Sequence, residues 1–143
     1  MKIISILGYF VLLAGILALL IRHELFATGP ISVALQILAG LLMLWARITF
    51  GARSFHLSAN PTAGELVTTG PFRYFRHPIY AAIFYFVWIG VFVHLSVIAV
   101  VFGLVATAGI GMRIYAEEQM LRLTYPEYDE YAAKTKRLVP GVF

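Results

Sequence analysis

The sequence contains no cysteine and only seven acidic residues among 143. The first absence rules out disulfides and thiolate metal sites, although it says nothing about redox compartment. Charge of either sign is scarce: Asp, Glu, Lys and Arg make up 13% of the chain, against roughly 25% in ordinary globular proteins. Several familiar site signatures are also missing. No GxGxxG opens a helix after a strand, since Gly109-Ile110-Gly111 lies inside an apolar run, and no Walker loop, nucleophile elbow or HExxH occurs. A nucleotide-like cofactor would therefore be held without a Rossmann domain. His23, His56, His77 and His94 show no ligand spacing, so no metal site is expected. There is no internal repeat and no low-complexity segment.

What fills the chain instead is hydrocarbon. Hydrophobic residues make up 61%, beyond the ~45–50% of a soluble domain, and the mean hydropathy is +0.86. The length suits one domain, and the composition predicts an all-α integral membrane protein. Four apolar runs are legible, at about residues 3–21, 31–50, 78–93 and 97–113. The first is nineteen residues, ~28 Å of helix, about one hydrocarbon core. It is too long for a signal-peptide core of ~7–15 residues and is read as a retained span. The third gives only ~24 Å, which calls for local thinning or for ends held within protein. Small residues Gly103, Ala106, Ala108, Gly109 and Gly111 predict close packing of the fourth run on its neighbours.

A net charge of +4 does not imply nucleic acid as a partner, because the basic residues flank apolar spans rather than lining one soluble face. With four spans, Lys2, Arg47, Arg53, Arg73, Arg76, Arg113, Arg122, Lys134, Lys136 and Arg137 fall on one side and Arg22 alone on the other. That asymmetry places both termini in the cytoplasm. Beyond Arg113 the helix is expected to continue to about Thr124. Pro126 then fits the first turn of a short interfacial helix, with Tyr125, Tyr128 and Tyr131 on one face. The apolar ending, residues 137–143, is too short to span and is expected to fold back onto the core.

Two polar clusters interrupt the apolar pattern. One is Thr69-Gly70-Pro71-Phe72-Arg73-Tyr74-Phe75-Arg76-His77-Pro78-Ile79-Tyr80, and the other runs from Arg113 to Glu118. Arg76 and His77 precede Pro78 at the mouth of the third helix, where the dipole and free N–H groups favour an anion. Glu117 lies four residues after Arg113, on the same helical face. Glu118 beside it repels Glu117 unless cations answer both. An interfacial ion-pair network including Arg122 would explain this cluster structurally, and snorkelling would explain Arg47. The functional reading is a pocket for a ligand bearing both signs of charge, formed where the two clusters meet.

At these clusters the sequence resembles the isoprenylcysteine carboxyl methyltransferase and phospholipid methyltransferase superfamily. The likeness runs through Leu66 to Tyr80, Arg113, Glu117-Glu118, Tyr125-Pro126-Glu127-Tyr128 and Arg137-Leu138-Val139-Pro140-Gly141, within a core of about 47–143. The resemblance implies a membrane enzyme that transfers methyl from S-adenosylmethionine to a lipophilic acceptor, in a cytoplasmic pocket formed by the last helices and the C-terminal segment. It places His77, Tyr80 and Glu117 at the cofactor's polar end, beside Arg76 at the helix mouth, and the backbone of Gly70, Leu138, Val139 and Pro140 around its adenosine. Arg113, Glu118 and Arg47 would stand on the acceptor side. Ala82 replaces a glycine common in the family, which would narrow the pocket or change helix packing. The acceptor stays open between a carboxylate, which needs no base, and an amine, whose proton Glu118 could take. Two other readings compete. An NADPH-dependent membrane reductase would use Arg122, Lys134, Lys136 and Arg137 for the extra phosphate. A non-enzymatic four-span assembly subunit would use its charges only for topology.

Overall fold

The computed structural model describes residues 1–51 and 65–140. Arg53 and His56, and the end of the tail from Gly141 to Phe143, lie outside the described residues. The rest is helical: α1 (Lys2–Ile21), α2 (Pro30–Phe50), a 3-10 turn (Gly70–Arg73), α3 (Pro78–His94), α4 (Val97–Thr124) and α5 (Tyr128–Lys134). Among the described residues there is no strand, and one isolated parallel bridge joins Phe75 to Lys136. By length and composition α1, α2 and α4 can each cross a membrane, while α3 is a shorter apolar helix of 17 residues. Large apolar side chains such as Ile3, Ile31, Leu38 and Val97 stand exposed on the outer faces, where hydrocarbon would cover them.

The packing follows from small residues on two facing helices. On α1 the buried positions are Ser5, Gly8, Leu12, Gly15 and Leu19, alternating three and four apart as one helical stripe requires. They lie antiparallel against Gly103, Ala106, Gly109 and Arg113 of α4. A Cβ on Gly15 would stand 2.7 Å from the Ala106 nitrogen and 2.8 Å from the Phe102 carbonyl oxygen, so the backbones themselves touch. The expectation of close packing on α4 holds for Gly103, Ala106 and Gly109. It does not hold for Ala108 and Gly111, which are exposed on the opposite side. The matching glycines of α1 complete an interface that the composition of α4 alone could not show.

α2 packs on α3, and both ends of that pair are fixed. At the hairpin end, Gln36 is buried in α2. Its amide accepts from the Ala27 N–H (2.9 Å) and donates to the carbonyls of Leu25 and Phe86 (2.9 Å each). Ser96 caps α4 by accepting from the Ala99 N–H (2.9 Å), and its hydroxyl donates to Glu24 (2.8 Å). The α1–α2 link is thereby tied to the α3–α4 turn. At the other end, Phe50 stacks on Phe72 of the 3-10 turn at 5.5 Å. The predicted helix ends agree with the structure except near Pro126. That residue stands in the turn before α5 rather than in its first turn, and the helix begins at Tyr128.

Candidate active site

The polar end of the bundle is assembled from three segments far apart in sequence. The first is the turn. Gly70 sits at φ +57, in the left-handed region, and a Cβ there would lie 2.7 Å from Thr49 Oγ1, so the turn needs glycine against α2. Pro71 and Phe72 are buried beneath it, and His77 with Pro78 at the first helical position opens α3. The second segment is the C-terminal half of α4, with Glu117 and Glu118 together about one turn beyond Arg113. The third is the tail after α5, which returns alongside the turn. The Arg76 N–H donates to the Lys136 carbonyl (2.7 Å) and the His77 N–H to that of Arg137 (3.3 Å). The Tyr131 hydroxyl donates to the Phe72 carbonyl (2.7 Å), and the Tyr85 hydroxyl to that of Leu138 (2.7 Å). Residues 135–140 thus form a strap over the turn, as the apolar ending predicts.

The two adjacent glutamates face different neighbours. Glu117 accepts from the Tyr80 hydroxyl and, at 3.4 Å, from Arg113 Nη2, and lies 3.7 Å from His77 Nδ1. Arg113 is buried; its Nε donates to the Tyr80 oxygen (2.6 Å) and its Nη1 to the Ser5 carbonyl (3.3 Å). Its guanidinium lies over the rings of Tyr9 (5.5 Å) and Tyr80 (5.6 Å), a favourable seat for a cation away from water.

Glu118 is the more buried carboxylate, its side chain 3% exposed against 23% for Glu117. Arg137 of the strap grips it with Nε at 3.0 Å and Nη2 at 2.9 Å, the bidentate fork that matches carboxylate geometry. Arg76 Nη1 stands 3.3 Å away, His77 Nε2 3.4 Å and Arg122 Nη2 3.6 Å. Arg122 also bonds Asp129 at 3.0 Å and covers the Tyr128 ring. The hydrogen bond to Glu118 pushes the Arg137 pKa up. Burial first, and the Glu118 charge second, push the Tyr128 phenol up to about 12; burial raises Tyr131 as well. Three buried polar atoms around this cluster make no hydrogen bond: Arg76 Nε, His77 Nε2 and the Tyr128 hydroxyl.

Of the residues singled out in the sequence, Arg76, His77, Tyr80, Arg113, Glu117 and Glu118 converge. Leu138 and Val139 join them through the strap, and Leu138 is buried. Pro140 is exposed at the strap's end. Gly70 and Arg47 stand on the α2 side of the turn, Arg47 half-buried in the last turn of that helix. Ala82 is buried on α3. Sequence reasoning missed the roles of Ser5, Tyr9, Tyr85 and the Arg137–Glu118 pair. Only Arg137 gave a signal, as a cation within an otherwise apolar ending.

This is a helical integral membrane protein with its polar chemistry gathered at one end of the bundle. The sequence profile of the isoprenylcysteine carboxyl methyltransferase (ICMT) family matches residues 30–123, and the chain belongs to that family. It is also similar to the nickel-cobalt-cadmium resistance protein NccN of Alcaligenes xylosoxydans xylosoxydans, 29% identical over 126 residues. That alignment covers 87% of this chain and 59% of the relative, so the chain spans under two thirds of the relative's length. No solved structure matches.

Proposed function

We propose that this chain is an S-adenosylmethionine-dependent methyltransferase of a lipophilic acceptor, crossing the membrane four times with both termini cytoplasmic. The carrying observation is the set of buried polar groups beside two carboxylates. Arg76 Nε and the Tyr128 hydroxyl make no hydrogen bond, and His77 lies against both glutamates, where Glu117 keeps an exposed edge. Unmade bonds of this kind cost about 1–3 kcal/mol each, which a ligand would recover. The cofactor of the family carries a carboxylate, an ammonium and a sulfonium, and these residues fit it. Arg76 and His77 would hold the carboxylate, Glu117 would face the cationic groups, and the strap backbone at Leu138, Val139 and Pro140 would lie along the adenosine. When bound, the cofactor supplies an electrophilic methyl group.

The chain's own part is positioning and electrostatics. Tyr80 and Arg113 fix Glu117, while Arg113, held between two tyrosine rings, orients the acceptor. Both glutamates already answer cations, which supports an acceptor that has no proton to lose, a carboxylate, over an amine. Three of the four cations that a reductase would need for NADPH are already engaged: Arg122 and Arg137 with Glu118, and Lys134 with Glu130 at 2.5 Å. From the relative's name we carry over no metal chemistry, because among the described residues no three His, Asp or Glu side chains could hold a metal ion together.

The test is equilibrium binding of S-adenosylhomocysteine and of NADPH to the purified protein. Micromolar binding of the first alone is expected. Binding of NADPH alone would favour the reductase. Folded protein that binds neither would be an assembly subunit.

A further inference from the structure

The helix α1 precedes residues 30–123, the stretch that matches the family, yet it is the helix against which Arg113 lies. Ser5, Gly8 and Tyr9 stand three and four residues apart, on one side of α1. A Cβ on Gly8 would meet Arg113 Cγ at 3.1 Å and Met112 Cβ at 2.8 Å, so the bare backbone there makes room for the arginine's stem. Beyond the stem, Arg113 Nη1 donates to the Ser5 carbonyl at 3.3 Å, and the guanidinium carbon lies 5.5 Å from the centre of the Tyr9 ring. Tyr9 is 36% exposed and stands outside the buried stripe that packs α1 on α4. Its hydroxyl makes no hydrogen bond among the described residues. What Tyr9 offers Arg113 is therefore the face of its ring, whose negative potential holds a cation more strongly where water is scarce.

We propose that α1 belongs to the reacting end of this protein, and that the Tyr9 ring sets the direction of the Arg113 guanidinium and, through it, of the acceptor's carboxylate. The inference rests on the methyltransferase reading, with Arg113 as the group that orients the acceptor. Tyr80 and Glu117 hold the guanidinium on the α3 and α4 sides, and Ser5 and Tyr9 hold it on the α1 side. Removing the ring face weakens the α1 side and lets the guanidinium tilt, and a displacement of ~1 Å in such a group can cost on the order of 100-fold in rate. Tyr9 is a positioning residue, since it acts through Arg113.

The experiment compares wild type, Tyr9→Leu and Tyr9→Phe in nanodiscs for methyl transfer to a prenylcysteine acceptor and for S-adenosylhomocysteine binding. Leucine keeps the apolar bulk without a ring face, so kcat/KM for the acceptor should fall about tenfold, within the range of one desolvated cation–π contact. S-adenosylhomocysteine affinity should change less than about twofold, because the lost contact lies on the acceptor side. Tyr9→Phe keeps the face and should rescue transfer to within about twofold of wild type. Unchanged transfer in Tyr9→Leu, or an equal loss in Tyr9→Phe, overturns the positioning role. A loss of S-adenosylhomocysteine affinity as large as the loss of transfer means that the bundle has loosened, and overturns it too. A double-variant cycle in SDS unfolding reads the contact without turnover. Tyr9→Leu should lower the folding constant about fivefold in the wild type and leave it unchanged in Arg113→Met, where no cation faces the ring. Equal effects in both backgrounds overturn the contact. A wild type that neither binds S-adenosylhomocysteine nor transfers methyl overturns the methyltransferase reading and this role together, whereas an active wild type with an equally active Tyr9→Leu overturns this role alone.

Discussion

The Glu118–Arg137 pair makes an asymmetric prediction. Glu118→Gln keeps shape but removes the charge that Arg76, Arg122 and Arg137 share, leaving Arg122 its bond to Asp129. Breaking a buried ion pair from one side costs ~3–5 kcal/mol, because the other charge is left without a partner. Here Arg122 and Arg137 are each about a third exposed and can turn toward water, whereas Arg76 is 11% exposed and cannot readily do so. The expected loss is therefore at the lower end, ~3 kcal/mol. Arg137→Leu removes two charge-assisted bonds but leaves Glu118 facing Arg76, His77 and Arg122. It should cost only about 1–2 kcal/mol, near the lower range for a bond to a charged group. Equilibrium unfolding by SDS in mixed micelles gives both values, and hydrogen exchange reads the strap directly. The Arg76 and His77 N–H groups, bonded to Lys136 and Arg137 carbonyls, should exchange faster in both variants. Equal losses in the two variants, or unchanged exchange at those amides, would refute the claim that one carboxylate fastens the strap.

Tyr128→Phe removes a buried hydroxyl that has no partner, so stability at neutral pH should hold or rise while S-adenosylhomocysteine binding weakens several-fold by titration. The wild-type phenol is raised from ~10 to about 12, so its contribution is full below pH 10 and lost between pH 10 and 12; the variant should lack that alkaline loss in an unfolding series. Arg113→Lys keeps the charge but not the fork that reaches Tyr80, Ser5 and Glu117; transfer to a prenylcysteine acceptor should fall at least tenfold while S-adenosylhomocysteine affinity changes less than threefold. Gly15→Leu should separate α1 from α4 and abolish folded expression, whereas Gly111→Ala, with nothing within 4 Å, should be neutral or gain ~1 kcal/mol by SDS unfolding.

The helices were legible because length and hydropathy act locally. Each of the four apolar runs became a helix whose ends moved by a residue or so, except α4, which continues to Thr124 as its polar extension predicts. The i, i+4 pairs Arg113–Glu117 and Glu118–Arg122 were legible for the same reason. What the sequence withheld depends on which helices are neighbours. Nothing in residues 2–21 marks Ser5 or Tyr9 as partners of Arg113, since a backbone carbonyl and one ring in an apolar run carry no local pattern. Gln36 did carry a signal, being an amide alone in an apolar run. Its role as the clip for Leu25, Ala27 and Phe86 became visible only with the hairpin folded.

The adjacent glutamates show how far spacing alone carries a site. A helix turns about 100° per residue, so Glu117 and Glu118 face largely different neighbours, with His77 standing between them. Sequence reasoning expected cations to answer both but could not say which. In the structure the face of Glu117 meets Tyr80 from α3 and Arg113, which is held against α1. The face of Glu118 looks to the strap and the turn, where Arg76, Arg122 and Arg137 gather. The carry-over from the family set Glu117 on the cofactor and Glu118 near the acceptor. In the structure Glu118 is held by Arg137 of the strap, while Glu117 is the more exposed of the two. A carboxylate held by a bidentate arginine and two further guanidinium groups is a poor proton acceptor, since each of those cations favours its ionised form. The amine reading would require Glu118 to take a proton against all of them, and that electrostatic conflict is the physical reason to place a carboxylate acceptor ahead of it.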